Sequence, residues 1–165
     1  MTARFTIAGL NNGHDKSGFS CGVPALDQYL RTQAGQDIRR HIANCFVAVA
    51  SGSNAIAGFY TLSAASIALG DLGDDVAKRL PRYPVIPAAR IGRLAIDQSH
   101  QRQGLGAAML FDAAERALRS DAAIFAILVD AKDKQAAAFY RHHGFTPFEA
   151  APMTLYLPIA TAKKA

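Results

Sequence analysis

Leu94-Ala95-Ile96-Asp97-Gln98-Ser99-His100-Gln101-Arg102-Gln103-Gly104-Leu105-Gly106-Ala107-Ala108-Met109-Leu110-Phe111 is the stretch whose reading decides the fold. An apolar run ends at Ile96, a polar turn follows, and two glycines spaced by one residue open a segment with Ala107, Ala108, Leu110, Phe111 and Ala114 at helical spacing. Such a strand–turn–helix junction is suited to an anion. The first amides of a helix have no intrahelical acceptor, and the helix dipole adds positive potential. Glycine removes the Cβ that would hold a phosphate away from the backbone. No Lys-Ser/Thr pair follows the glycines, as a nucleotide P-loop requires, and the third glycine and downstream acid of the dinucleotide pattern are missing. Arg102 places a cation at the turn.

Working outward, the second half alternates: strand 89–96, helix 104–119, strand 124–129, helix 133–142, then strands near Phe145 and over 154–157. Upstream, the pattern predicts a short strand at Arg4–Ile7 and one helix from Pro24 to about His41, with Leu26, Tyr29, Leu30, Ala34 and Ile38 on its apolar side. Strands 45–50 and 56–69 form a hairpin about Ser51-Gly52-Ser53-Asn54. Residues 70–87 read as a surface excursion with a short helix at 74–79. The fold class is α+β, with a mixed central β-sheet flanked by helices. A length of 165 residues, half of them hydrophobic, fits one domain over 1–165, with 161–165 a frayed tail.

Cys21 and Cys45 have no partners at metal or disulfide spacing, and no metal is expected. The first residues lack the apolar core of a secretory signal, and no apolar run reaches the roughly 18 residues of a membrane helix, so a cytoplasmic protein is expected, with no membrane partner. The net charge of +5 comes from 12 Arg and 6 Lys against 11 Asp and 2 Glu, which favours anionic partners.

Gln101, Gly104 and Gly106 match the signature of the GNAT acetyltransferase superfamily: Gln or Arg, two residues, Gly, one residue, Gly or Ala. The resemblance continues in Gly92-Arg93-Leu94-Ala95-Ile96-Asp97 and in Ala138-Phe139-Tyr140-Arg141-His142-His143-Gly144-Phe145. It implies the GNAT fold and acetyl-CoA as cosubstrate, held at a splayed pair of parallel strands with Gly92 marking the bend. Ala95 and Ile96 would offer backbone groups to pantetheine, and Arg102, Gln103, Gly104, Leu105, Gly106 and Ala107 would hold the pyrophosphate. Phe139 and Asp133 would border the cofactor, although many members carry Asn at the latter position. Tyr140 stands where members commonly place a catalytic tyrosine, and a hydroxyl with a reference pKa of about 10 can give a proton to a departing thiolate. General bases are scarce. Asp97 is the nearest carboxylate, and it reads equally as the cap of the turn before His100.

Phe19-Ser20-Cys21-Gly22, Leu26-Asp27-Gln28-Tyr29-Leu30 and Ile56-Ala57-Gly58-Phe59-Tyr60-Thr61-Leu62 are similar to the GNAT toxins of bacterial toxin–antitoxin systems. That resemblance implies acetylation of the α-amine of aminoacyl-tRNA, inhibition of translation, neutralisation by a ribbon-helix-helix antitoxin, and a homodimer. A scarce base suits such a substrate: an α-amine has a pKa of about 7.7–8.0, against about 10.4 for lysine. Arg39, Arg40, Arg79, Arg82, Arg90 and Arg93 are the candidates for tRNA phosphates. Two other readings stay open: the same chemistry on a small-molecule or protein amine, and a nonenzymatic acyl-CoA-binding module.

Overall fold

The computed structural model describes residues 4–164. Strands β1 (Phe5–Gly9), β2 (Asn44–Ala50), β3 (Ile56–Ala68), β4 (Val85–Ile96), β5 (Ala126–Asp130), β6 (Thr146–Pro147) and β7 (Thr154–Pro158) form one mixed sheet in the order β1-β2-β3-β4-β5-β7-β6. Helices are α1 (Pro24–Thr32), α2 (Ala34–Arg39), α3 (Asp74–Ala77), α4 (Leu105–Leu118), α5 (Lys134–His142) and α6 (Ile159–Lys164). This is the expected α+β architecture with helices about a mixed sheet. β4 and β5 run parallel, in the register Ala88↔Ala126 to Ile91↔Val129, while β4 itself continues to Ile96.

By compactness the chain divides into two interleaved units. The first comprises the chain up to Ser63 together with Gly92–Ala113. Its core joins Phe19, Tyr29, Leu30, Ala34, Cys45, Val47, Ile56, Phe59 and Ala95. Gly58 belongs here because a Cβ would lie 3.0 Å from Ile96 Cδ1 and Met109 Sδ and 3.2 Å from the Ala95 carbonyl oxygen. Backbone cannot yield as a flexible side chain does. Gly58→Ala is therefore expected to destabilise by about 1–3 kcal/mol, the usual cost of overpacking, read as a drop of roughly 2–4 °C in Tm per kcal/mol. An unchanged melting curve would refute this.

The helix predicted over 24–41 is two helices. Gln33, at φ −119° and ψ −34°, closes α1 by donating its N–H to the Tyr29 carbonyl at 2.9 Å and opens α2 by accepting from Asp37 N–H at 3.0 Å. The apolar face keeps its phase across this step, which is why periodicity alone joins the two. α2 ends in a Schellman motif: Ile42 N–H donates to the Asp37 carbonyl (2.9 Å), His41 N–H to Ile38 (3.1 Å), and His41 takes the left-handed φ of 59°.

The second unit comprises Ala64–Ile91 and Ala114–Ala165. Its core gathers Ile67, Leu72, Ile86, Ala88, Ala126, Leu128, Phe148 and Tyr156. β4 begins at Val85, earlier than the expected 89, because Pro87 needs only its carbonyl there: it accepts from Phe125 N–H at 2.9 Å. Of the residues expected as a tail, 161–164 lie in α6, and Ala165 lies outside the described residues. No helix among the described residues is long and apolar enough to cross a membrane.

Candidate active site

In the first unit, β4 leads into a 3₁₀ turn over Gln98–His100, and then to α4. Asp97 starts that turn, its carboxylate accepting from Ser99 N–H at 3.0 Å and Ser20 N–H at 2.9 Å. Burial pushes its pKa up, but hydrogen bonds from the Ser99 hydroxyl and from the Ser20 and Ser99 amides outweigh that and hold the carboxyl below its usual range. Asp97 is thus a cap, poorly suited to take a proton from an amine at neutral pH. His100 lies edge-on to Phe5 with ring centroids 5.7 Å apart.

Gln101 fastens the loop to the strand. Its amide Nε2 donates to the carbonyls of Ile96 (3.0 Å) and Cys21 (3.2 Å). The signature glutamine therefore shapes the cradle, and part of the Ile96 carbonyl's capacity is already used. Arg102, at φ 63°, and Gly104, at φ 80°, then turn the exposed backbone through left-handed conformations. The first bond of α4 runs from Ala108 N–H to the Gly104 carbonyl at 3.1 Å, so the amides of Leu105, Gly106 and Ala107 precede any intrahelical acceptor. Around Gly104 there is open space, since a Cβ there would meet nothing within 4 Å. Exposure, room, aligned amides and the Arg102 charge together fit a pyrophosphate. Gly104 is required for its φ, beyond the clearance expected of it. Gly92 is placed by close packing: a Cβ would lie 3.2 Å from Thr61 Oγ1.

In the second unit, Tyr140 is buried on α5, packed against Phe139 (ring centroids 5.4 Å) and Phe145 (5.5 Å). Asp133 caps this helix, accepting from Ala136 N–H at 2.8 Å. Its other end is a second Schellman motif, in which Phe145 N–H donates to the Tyr140 carbonyl (3.0 Å), Gly144 N–H to Arg141 (3.0 Å), and Gly144 has φ 94°. The Tyr140–Phe145 ring contact is the apolar clasp that accompanies such a cap. The run Phe139-Tyr140-Arg141-His142-His143-Gly144-Phe145 thus fixes the tyrosine from both backbone and ring. Burial, and secondarily the Asp130 carboxylate, push the Tyr140 pKa up to about 12. The hydroxyl stays protonated at neutral pH, as a proton donor must.

Sequence reasoning passed over Asp130. It ends β5, accepts from Thr154 Oγ1 at 2.9 Å and pairs with the Arg90 guanidinium. The signal available was an acid at the carboxyl end of an apolar strand, where functional groups gather in open sheets. Of the six candidate arginines, Arg39, Arg40, Arg79, Arg82 and Arg93 are exposed, whereas Arg90 is half-buried and engaged with Asp130. Arg93 lies over the Tyr29 ring, its Cζ 3.7 Å from the centroid.

A turn whose geometry fits an anion at a helix mouth, and a buried tyrosine that keeps its proton, are each compatible with acyl transfer. The family model for the acetyltransferase (GNAT) domain matches residues 41–147, and the chain belongs to this family: it is an N-acetyltransferase. Within the family it is similar to the toxins of toxin–antitoxin systems. It is 34% identical over 156 residues to a tRNA-acetylating toxin of Mycobacterium tuberculosis, covering 93% of this chain and 92% of the relative. The toxin AtaT complexed with acetyl-methionyl-tRNAfMet superposes with a TM-score of 0.88 at 28% identity, covering 98% of both chains. A mutant AtaT bound to the C-terminus of the antitoxin AtaR and acetyl-CoA gives 0.79 at 26% identity, covering 97% of this chain and 96% of that one.

Proposed function

We propose that this enzyme transfers acetyl from acetyl-CoA to the α-amine of aminoacyl-tRNA, so that the charged tRNA is lost to translation, and that a ribbon-helix-helix antitoxin neutralises it. The observation that carries the substrate is the likeness, over nearly the whole of both chains, to a toxin complexed with an acetylated aminoacyl-tRNA. The enzyme works in the cytoplasm as a homodimer.

In this reading Arg102 and the backbone from Gln103 through Gly104, Leu105 and Gly106 to Ala107 bind the pyrophosphate. Ala95 and Ile96 orient pantetheine by their backbone groups, with the Ala95 amide facing the thioester oxygen. Phe139 borders the cofactor, and Asp133 acts on it through the helix end it caps. Bound acetyl-CoA supplies an activated acetyl group as a thioester. The neutral amine nitrogen forms the new bond to the carbonyl carbon as the carbon–sulfur bond breaks, and Tyr140 gives its proton to the sulfur. The amine's surplus proton passes to water, which also reprotonates Tyr140. Deprotonating an α-amine at neutral pH costs little, and the electron-withdrawing ester of aminoacyl-tRNA lowers the amine's pKa further, so no strong side-chain base is required. Arg39, Arg40, Arg79, Arg82 and Arg93 bind tRNA phosphates, with Arg90 contributing while it holds Asp130.

Purified enzyme should be offered acetyl-CoA with separately charged tRNAs, free amino acids, a polyamine and a lysine peptide. Charged tRNA is expected to be the efficient acceptor, releasing one thiol per acetyl group gained. Strong turnover of the polyamine with none of charged tRNA would overturn the substrate. Coenzyme A binding with thiol release at background for every acceptor would overturn the enzymatic role.

A further inference from the structure

In the first unit, Tyr29 joins a buried ring and an exposed cation. Phe59, wholly buried, lies beneath Tyr29, the rings 17° from parallel with centroids 6.2 Å apart. Arg93 lies over the Tyr29 ring, its Cζ 3.7 Å from the centroid. Both ends of this arrangement are fixed. The Tyr29 hydroxyl donates to Asp37 Oδ2 at 2.7 Å, and Gln33 Nε2 donates to Asp37 Oδ1 at 2.9 Å, so each oxygen of that carboxylate already has a partner. The backbone N–H of Arg93 donates to Oγ1 of buried Thr61 at 3.0 Å, and the Thr61 oxygen lies where a Cβ on residue 92 would crowd it.

A guanidinium stacked on a ring keeps the nitrogens of its edge directed outward, in the fork that matches two oxygens of a phosphate. Its rotamer freedom is already restricted before a ligand arrives, so less is lost on binding. The charge surroundings favour an anion as well. Arg40 and Arg93 both act electrostatically on Asp37, so Arg93 is not the sole cation acting on that carboxylate.

We infer that Arg93 is a pre-organised reader of a phosphodiester in the polynucleotide substrate, with Tyr29 and Asp37 as its positioning residues. This rests on the tRNA reading above and sharpens it: Arg93 is carried on a built platform, Arg90 is tied to Asp130, and the remaining candidates contribute as general surface charge. Neutralising Arg93 weakens capture of the tRNA and leaves acetyl transfer itself intact.

The test compares two acceptors that share an α-amine and an ester and differ in phosphate: the best charged tRNA, and the methyl ester of the same amino acid. For Arg93→Gln the KM for charged tRNA is expected to rise about tenfold, the loss typical of a charge-assisted hydrogen bond. The log–log salt dependence of binding should flatten by about one unit. Both kcat and KM for the methyl ester should stay at wild-type values. Arg93→Lys, which keeps the charge without the fork, should recover only part of the affinity. Tyr29→Phe, which keeps the ring and loses the tie to Asp37, should give a smaller loss of the same kind at unchanged kcat. Arg93 is exposed, so its variants report even if a change at Tyr29 impairs folding. Wild-type KM and salt slope in Arg93→Gln would overturn the inference, as would an equal loss on the methyl ester. A wild-type enzyme that acetylates the ester but never the charged tRNA would refute the substrate reading itself, and this inference with it.

Discussion

Tyr140→Phe should lower kcat by about 10²–10⁴, the range general acid catalysis supplies, with KM for acetyl-CoA within about twofold of wild type. Induction of this variant should no longer arrest growth. The substitution removes one oxygen and leaves the ring between Phe139 and Phe145, so the Schellman end of α5 and the melting temperature should be preserved. The pH profile gives an independent check. Burial, then Asp130, raise the hydroxyl's pKa to about 12, so it keeps its proton beyond the pH at which an ordinary tyrosine has half lost it. The wild-type rate should climb as the amine deprotonates, level off above about pH 8, and show no falling limb near pH 10. Asp130→Asn removes a negative charge that disfavours tyrosinate, so its falling limb should begin at lower pH, by a modest amount because burial is the larger cause. A variant as active and as toxic as wild type would sink the acid assignment.

The cradle and the tyrosine helix were legible because their determinants are local. A glycine in a left-handed turn, a cap three residues ahead of the amide it accepts from, and a Gly-Phe pair closing a Schellman motif all lie within a turn of the residues they position. What escaped the sequence lies far apart along it. Asp130 finds Arg90 across 40 residues, Asp97 finds Ser20 across 77, and Arg93 finds Tyr29 across the whole β2–β3 hairpin. Charge counts mark such residues as cations or acids but cannot say which are already spent. The break at Gln33 was hidden for another reason: the backbone departs from the usual helical φ at one residue, reaching −119°, without interrupting the apolar spacing, and no proline marks it. Gln101 was legible as a motif residue, but its contacts were not: its amide ties the loop to Ile96, five residues back, and to Cys21, eighty residues back.

Gly104→Val should raise the KM for acetyl-CoA by about 10–100-fold while kcat at saturation falls much less. At φ 80° a β-branched side chain is a steric outlier, and holding it there costs about 1–3 kcal/mol, so the loop will shift to relieve the strain. That shift moves the carbonyl accepting the first α4 bond and turns the amides of Leu105, Gly106 and Ala107 away from a common target. Losing one to two aligned hydrogen bonds to a doubly charged group accounts for the range. Asn tolerates left-handed backbone better, so Gly104→Asn should show a milder rise. Gly52 supplies the control, with φ 79° and equally open surroundings in the β2–β3 turn. Gly52→Val carries comparable strain and should lose comparable stability, yet leave the KM for acetyl-CoA unchanged. If the two valine variants affect that KM alike, the effect is general strain; if only Gly104→Val does, the turn at Gly104 is the one that aims the helix at the pyrophosphate.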